Sequence, residues 1–208
     1  LQVNRVFEVL RRLRPSPQIE LHHGSPLELL IATILSAQCT DQRVNQVTHE
    51  LFRRYRTAAD YAQADQTELE HLIRPTGFFK TKAKSIILCC RALVERFNGA
   101  VPDTMEALVS LPGVGRKTAN VVLGHAFGKP AVVVDTHVKR VVGRLGLSTH
   151  TDPERIEADL QRLLPPEDWT CGSLRLLLHG RYVCTARAPK CLECDLYHLC
   201  PWNGKLPR

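Results

Sequence analysis

The chain of 208 residues carries 28 Lys and Arg against 21 Asp and Glu, a formal net charge of +7. That length supports one or two domains with a real core, and the basic balance suits a polyanionic partner without requiring one. No apolar run reaches the roughly 20 residues needed to cross a bilayer and no basic-then-apolar leader opens the chain, so a membrane partner and a secretory route are not expected.

The chain reads as nearly all helical, because capping signals recur just before apolar runs of helical period. Ser25-Pro26-Leu27-Glu28 has the form of a capping box with proline at the first helical position. The apolar helix it opens runs into Ser36-Ala37-Gln38-Cys39-Thr40-Asp41. Asp65-Gln66-Thr67-Glu68 and Asp103-Thr104-Met105-Glu106 repeat the capping pattern with aspartate as cap, and Thr151-Asp152-Pro153-Glu154 repeats it with threonine. Between these lies Thr76-Gly77-Phe78-Phe79, a glycine turn from which an apolar side chain could wedge between bases or simply anchor a helix. Lys80, Lys82 and Lys84 follow without an intervening acid and are expected to face phosphate at least in part. Ala83, Ile86, Ile87, Cys90, Leu93, Val94 and Phe97 trace a helix that Asn98-Gly99 should end.

Leu111-Pro-Gly-Val-Gly-Arg-Lys117 follows, the centre of a helix-hairpin-helix unit with helices over about 104–110 and 116–127. Gly113 and Gly115 permit torsions and close approaches that other residues resist, and the free N–H groups at the start of the second helix can hold a phosphate oxygen. Lys117 sits beside that grip. An amine attacks only when neutral, so a nucleophilic role needs desolvation together with the positive end of the helix and the charge of Arg116. Val132-Val133-Val134 is a buried entry into the next helix rather than a strand. Asp135 then precedes Thr136-His137-Val138, which makes it an N-cap, a catalytic carboxylate, or both. His137 and Arg140, one turn apart, could orient it or touch phosphate.

Cys184, Cys191, Cys194 and Cys200 place four thiols within seventeen residues. In a chain of this size without a secretory signal they read as metal ligands in a reducing compartment, suited to tetrahedral zinc or to an iron–sulfur cube. Arg187 and Lys190 lie inside the loop and could track backbone phosphates. Cys89, Cys90 and Cys171 read as buried small hydrophobes.

The order of these motifs resembles the endonuclease III family, the helix-hairpin-helix DNA glycosylases with an iron–sulfur cluster. LPGVGRKTANVV, VDTHVKRV, SAQCTD and LHGRYVCTARAPKCLECDLYHLC carry the resemblance, which spans essentially the whole chain. It implies an all-α fold of two helical domains with a DNA-binding cleft between them. Residues 20–129 would form a six-helix barrel with the hairpin, and residues 1–19 with 130–208 a cluster domain. It implies that Lys117 attacks C1′ of the damaged nucleotide, expels the base and nicks the strand 3′ to the lesion by β-elimination, with Asp135 as the second catalytic residue. The four cysteines would bind a [4Fe–4S] cluster. Gln38 would fill the gap left by the extruded base, and Asp41 would line the substrate pocket. Phe78 stands where the family commonly has leucine, and Cys39 where it often has a small apolar residue. The expected partner is duplex DNA containing damaged pyrimidines or abasic sites, bound by a monomer in the cytoplasm, nucleoid-associated if the source is prokaryotic. The competing readings are a monofunctional mismatch glycosylase, which typically lacks the lysine, and a non-catalytic helix-hairpin-helix DNA-binding module.

Overall fold

The computed structural model describes residues 2–205, and every regular element among them is helical. In chain order these are α1 (Gln2–Leu13), α2 (Pro26–Leu35), α3 (Asp41–Arg54), α4 (Ala58–Ala62), α5 (Gln66–Ile73), α6 (Phe79–Phe97), α7 (Met105–Val109), α8 (Arg116–Ala126), α9 (Thr136–Arg144), α10 (Pro153–Leu163) and α11 (Trp169–Tyr182). None of them is long and apolar enough to cross a membrane. The valine run is extended but unpaired. Ala131 and Val133 donate their N–H groups to the hydroxyls of Thr170 and Ser173, both at 3.2 Å, which takes the place of a neighbouring strand.

The chain divides into two compact units, Ile19–Gly128 and Leu1–Gln18 together with Lys129–Arg208. The first is built around α2. All seven residues from Leu29 to Leu35 are buried, so this helix is apolar all round and becomes the centre of the unit. Helices α3, α6 and α8 pack on it. Each fully buried leucine or isoleucine contributes about 1.5–3 kcal/mol of transfer free energy. The α6 stripe runs as its period predicts, with Ala83, Ile86, Cys90 and Leu93 fully buried, and ends at left-handed Asn98 and Gly99.

In the second unit, Val6, Phe7 and Leu10 of α1 join Val138, Val141 and Val142 of α9, Ile156 and Leu160 of α10 and Leu176 of α11 in one core. The half-buried Cys184, Cys194 and Cys200 pack against it, so the cysteine loop is seated on apolar ground. Gly180 allows α9 and α11 to touch: a Cβ there would meet Val141 Cγ2 at 2.9 Å and the His137 carbonyl at 3.0 Å.

Three caps differ in detail from expectation. Ser25 accepts from Glu28 N as predicted, but the Glu28 carboxylate takes the N–H of Gly24 instead of closing the box on Ser25. Helix α7 is capped by Thr104 rather than Asp103, its hydroxyl accepting from Ala107 N. Helix α10 is capped by Asp152 rather than Thr151, since Pro153 occupies the first helical position and the residue directly before it must be the cap.

Candidate active site

Helix α7 and helix α8 are joined by the turn Leu111–Gly115. Gly113 holds φ +77, and a Cβ on it would stand 2.8 Å from Ser85 Cβ, so α6 presses directly against the hairpin. Gly115 begins α8 in extended backbone, and no side chain caps that N-terminus. Arg116 and Lys117, the first two residues of α8, are both exposed. An anion is what such a terminus accepts.

The same unit carries a hollow of about 280 Å³ lined by Gln38, Phe78, Lys82, Ser85, Gly113 and Thr118, among others. Gln38 and Phe78 are both exposed, and both stand in left-handed backbone at φ +52 and +48. Outside glycine that conformation is uncommon and persists where the surroundings hold it. Phe78 is 65% exposed, so it does not anchor the helix to the core, whereas Phe79 is half-buried. Asp41 opens α3 two residues after Cys39 and is half-buried.

In the other unit Asp135 caps α9, its carboxylate accepting from Val138 N at 2.8 Å. That bond fixes its position and leaves further carboxylate lone pairs available. The four thiols of Cys184, Cys191, Cys194 and Cys200 surround a single cavity, also lined by Arg144, His179, Tyr197 and Trp202. Among the described residues no three His, Cys, Asp or Glu side chains are gathered for a single metal ion. Arg144 donates to Cys184 Sγ at 3.2 Å and lies 3.9 Å from the Trp202 ring centroid. His179 Nε2 is 3.7 Å from Cys194 Sγ. Burial pushes the His179 imidazole down to about 4, helped by the charge of Arg14 and opposed by Asp195, so it is neutral at pH 7.

Residues 31–166 match the family described as the HhH-GPD superfamily base excision DNA repair protein. The chain is 55% identical over 201 residues to endonuclease III of Synechocystis sp., covering 96% of this chain and 92% of that protein. It is 44% identical over 203 residues to endonuclease III of Escherichia coli K12, covering 96% of both. It superposes with a TM-score of 0.93, at 45% identity, on a non-covalent endonuclease III–DNA complex, covering 96% of this chain and 94% of that one. A trapped endonuclease III–DNA covalent intermediate matches equally well. The chain belongs to the endonuclease III family. It is a base excision repair enzyme, a DNA glycosylase with AP lyase activity.

Within that family frame, the structure places several sequence candidates differently. Lys80 is exposed, but Lys82 is only 5% exposed and its Nζ donates to the carbonyls of Leu35 at 2.7 Å and Thr76 at 2.8 Å. Burial holds its ammonium below the usual lysine range, with the nearby Cys39 thiol pulling the other way. It is not a phosphate-facing residue. Its position shows why: residue 82 falls on the same stripe as Ala83, Ile86 and Cys90. Arg140 is likewise committed internally. It donates to the Gly180 carbonyl at 2.6 Å and the Cys184 carbonyl at 2.9 Å, with Nη2 3.1 Å from His137 Nδ1. It fastens α9 to the end of α11 and the start of the cysteine loop. Arg187 and Lys190 are exposed in that loop. Cys89 and Cys90 are fully buried, with the Cys89 thiol pushed up to about 12 by burial, whereas Cys171 is only half-buried. Sequence reasoning missed Arg144, His179 and Trp202 around the thiols. The signal for Arg144 was its place one turn beyond Arg140.

Proposed function

We propose that this enzyme removes oxidised or ring-damaged pyrimidines from duplex DNA and cleaves the resulting abasic site, with Lys117 as nucleophile. The observation that carries the reading is the hairpin: an exposed lysine in the first turn of a helix that no side chain caps, at the N-terminus that suits the neighbouring phosphate. The Lys117 amine attacks C1′ as the C1′–N bond to the base breaks, and the base leaves with its electron pair and takes up a proton. The attached nitrogen loses a proton and the C1′–O4′ bond breaks, O4′ taking up a proton, so the sugar opens to a Schiff base that acidifies C2′. Loss of a C2′ proton and departure of the 3′ oxygen complete β-elimination and nick the strand 3′ to the site. Asp135, held by its capping bond, stabilises positive charge developing on the sugar and relays protons. Gln38 and Phe78 occupy the space vacated by the extruded nucleotide. Asp41 lines the substrate pocket. Gly113, Gly115, Arg116 and Lys80, together with His137, Arg187 and Lys190, contact the backbone. A monofunctional glycosylase has no need of the amine at position 117.

The thiols of Cys184, Cys191, Cys194 and Cys200 hold a [4Fe–4S] cluster in this reading. Four cysteines lining one cavity are a soft donor set that would suit an iron–sulfur cluster. When bound, the cluster supplies the stiffness of a basic loop that has little helix of its own. Arg144 and the neutral His179 are placed to donate to two of the sulfurs.

Borohydride should trap wild-type protein covalently on DNA containing thymine glycol or an abasic site, and Lys117→Ala should abolish the adduct. Base release by wild type without any trapped species would sink the lysine mechanism. The purified protein should be yellow-brown and contain iron and acid-labile sulfide; a colourless preparation with stoichiometric zinc overturns the cluster.

A further inference from the structure

We propose that Lys82 is a positioning residue for nucleotide extrusion, its buried ammonium tying together the two turns that carry Gln38 and Phe78. The inference rests on the assignment of those two side chains to the gap in the duplex. Leu35, whose carbonyl Lys82 grips, is the last residue of α2 and lies three residues before Gln38. Thr76, whose carbonyl takes the second bond, lies two residues before Phe78. A single Nζ therefore spans two turns from distant parts of the sequence, close to the base of each. Both turns hold a non-glycine residue in left-handed backbone, a state that persists only where the surroundings impose it.

The position favours an apolar residue, since it lies on the buried stripe of α6. Burying a charge there is costly unless its bonds are made. The site meets that condition: the last carbonyl of α2 lies at the negative end of the helix dipole, and the second acceptor completes a bridge. Both carbonyls would otherwise be left unpaired in a buried place. The same face of α6 continues to Ser85, against which Gly113 of the hairpin is pressed. Phe78 at the start of α6, Lys82 one turn on and Ser85 in the next turn thus connect one rigid helix to the wedge turn, the glutamine turn and the phosphate grip. A shift of either turn would misplace its side chain relative to Lys117 without touching the lysine.

The test uses two assays on the whole protein. Stopped-flow fluorescence of 2-aminopurine opposite thymine glycol in duplex DNA reports extrusion, with base release followed under single turnover. Borohydride trapping on single-stranded abasic DNA needs no extrusion and counts the molecules with a working Lys117. Lys82→Met is expected to slow the fluorescence step and base release at least tenfold per trappable molecule, while trapping itself stays within about twofold. Lys82→Arg, which keeps the cation and its donors, should restore at least a third of the wild-type rate. Where Lys82→Met is too unstable to purify, Lys82→Gln carries the test, keeping a donor for one carbonyl and showing the same selective loss at several-fold. Equal losses in both assays assign Lys82 to stability alone and overturn the proposal, as does a wild-type extrusion rate. Gln38→Ala and Phe78→Ala are run in parallel. If neither slows extrusion, the assignment of those side chains fails; if they do and Lys82→Met does not, only the role of Lys82 falls.

Discussion

A methyl group on Gly113 would meet Ser85 Cβ at 2.8 Å on backbone already at φ +77, whereas one on Gly115 would meet nothing within 4 Å, in backbone at φ −93 that any residue adopts. The two glycines of the hairpin thus differ: Gly113 permits the turn and its contact with α6, and Gly115 leaves open space at the start of α8, where the proposed function puts a phosphate. Gly113→Ala should cost about 2 kcal/mol or more in urea unfolding. Gly115→Ala should change stability by less than about 1 kcal/mol while weakening DNA binding in a titration. Asp135 invites a similar separation. Asn caps helices as well as Asp. Asp135→Asn should therefore keep the wild-type melting temperature within a few degrees and still lose about 10²–10⁴-fold in single-turnover base release, the range of a lost proton-handling group. Asp135→Ala should lose both. A full-rate Asp135→Asn enzyme would leave the carboxylate with the cap alone.

Among the elements, what the sequence made legible was periodicity and punctuation. The α6 stripe, its Asn98-Gly99 stop, the hairpin helices and the helical class all follow from local rules. The cap errors have a common cause, in that Asp103-Thr104 and Thr151-Asp152 each offer two adjacent capping side chains. Where proline follows, it decides: Asp152 precedes Pro153 and is the cap. Asp152→Ala should cost about 1 kcal/mol, and Thr151→Ala next to nothing, in thermal or urea unfolding. Lys82 and Arg140 were misjudged for a different reason. A charged residue is presumed solvated, and a local pattern does not show the carbonyls of Leu35 and Thr76 that make burial of Lys82 tolerable, nor those of Gly180 and Cys184 that hold the half-buried Arg140. For Lys117 the local signal is its place beside the hairpin turn; for Asp135 local rules favour an N-cap and leave a second role open, and the pairing of the two as catalytic residues comes from family resemblance.

Across the molecule, charge is distributed unevenly. Residues 19–128 hold twelve Lys and Arg against eleven Asp and Glu, while the other unit holds sixteen against ten, so six of the seven net positive charges lie in the unit that carries the cysteine loop. Lys117 is thus in the nearly neutral unit, and most of the net positive charge resides in the other. Affinity for undamaged duplex should fall steeply with salt, and Arg187→Ala or Lys190→Ala should each reduce the log–log slope by about 1. Phe78→Ala should weaken binding to a lesion without altering the slope.

The chain enters the basic unit with α1, leaves it for residues 19–128, and returns at Lys129. During synthesis α1 therefore emerges long before α11, against which it packs and whose Arg175 later grips the carbonyls of Arg14 and Pro15 at 2.8 Å. The unit from Ile19 to Gly128 is continuous and can fold while translation proceeds. Val6, Phe7 and Leu10 must wait with their apolar faces uncovered until the C-terminal third is made. The four cysteines from Cys184 to Cys200 come later still. Maturation of this enzyme thus has a built-in order, hairpin unit first and cysteine-loop unit last, and a ribosome that stalls after residue 128 would release a hairpin and Lys117 without Asp135 and without the four clustered cysteines.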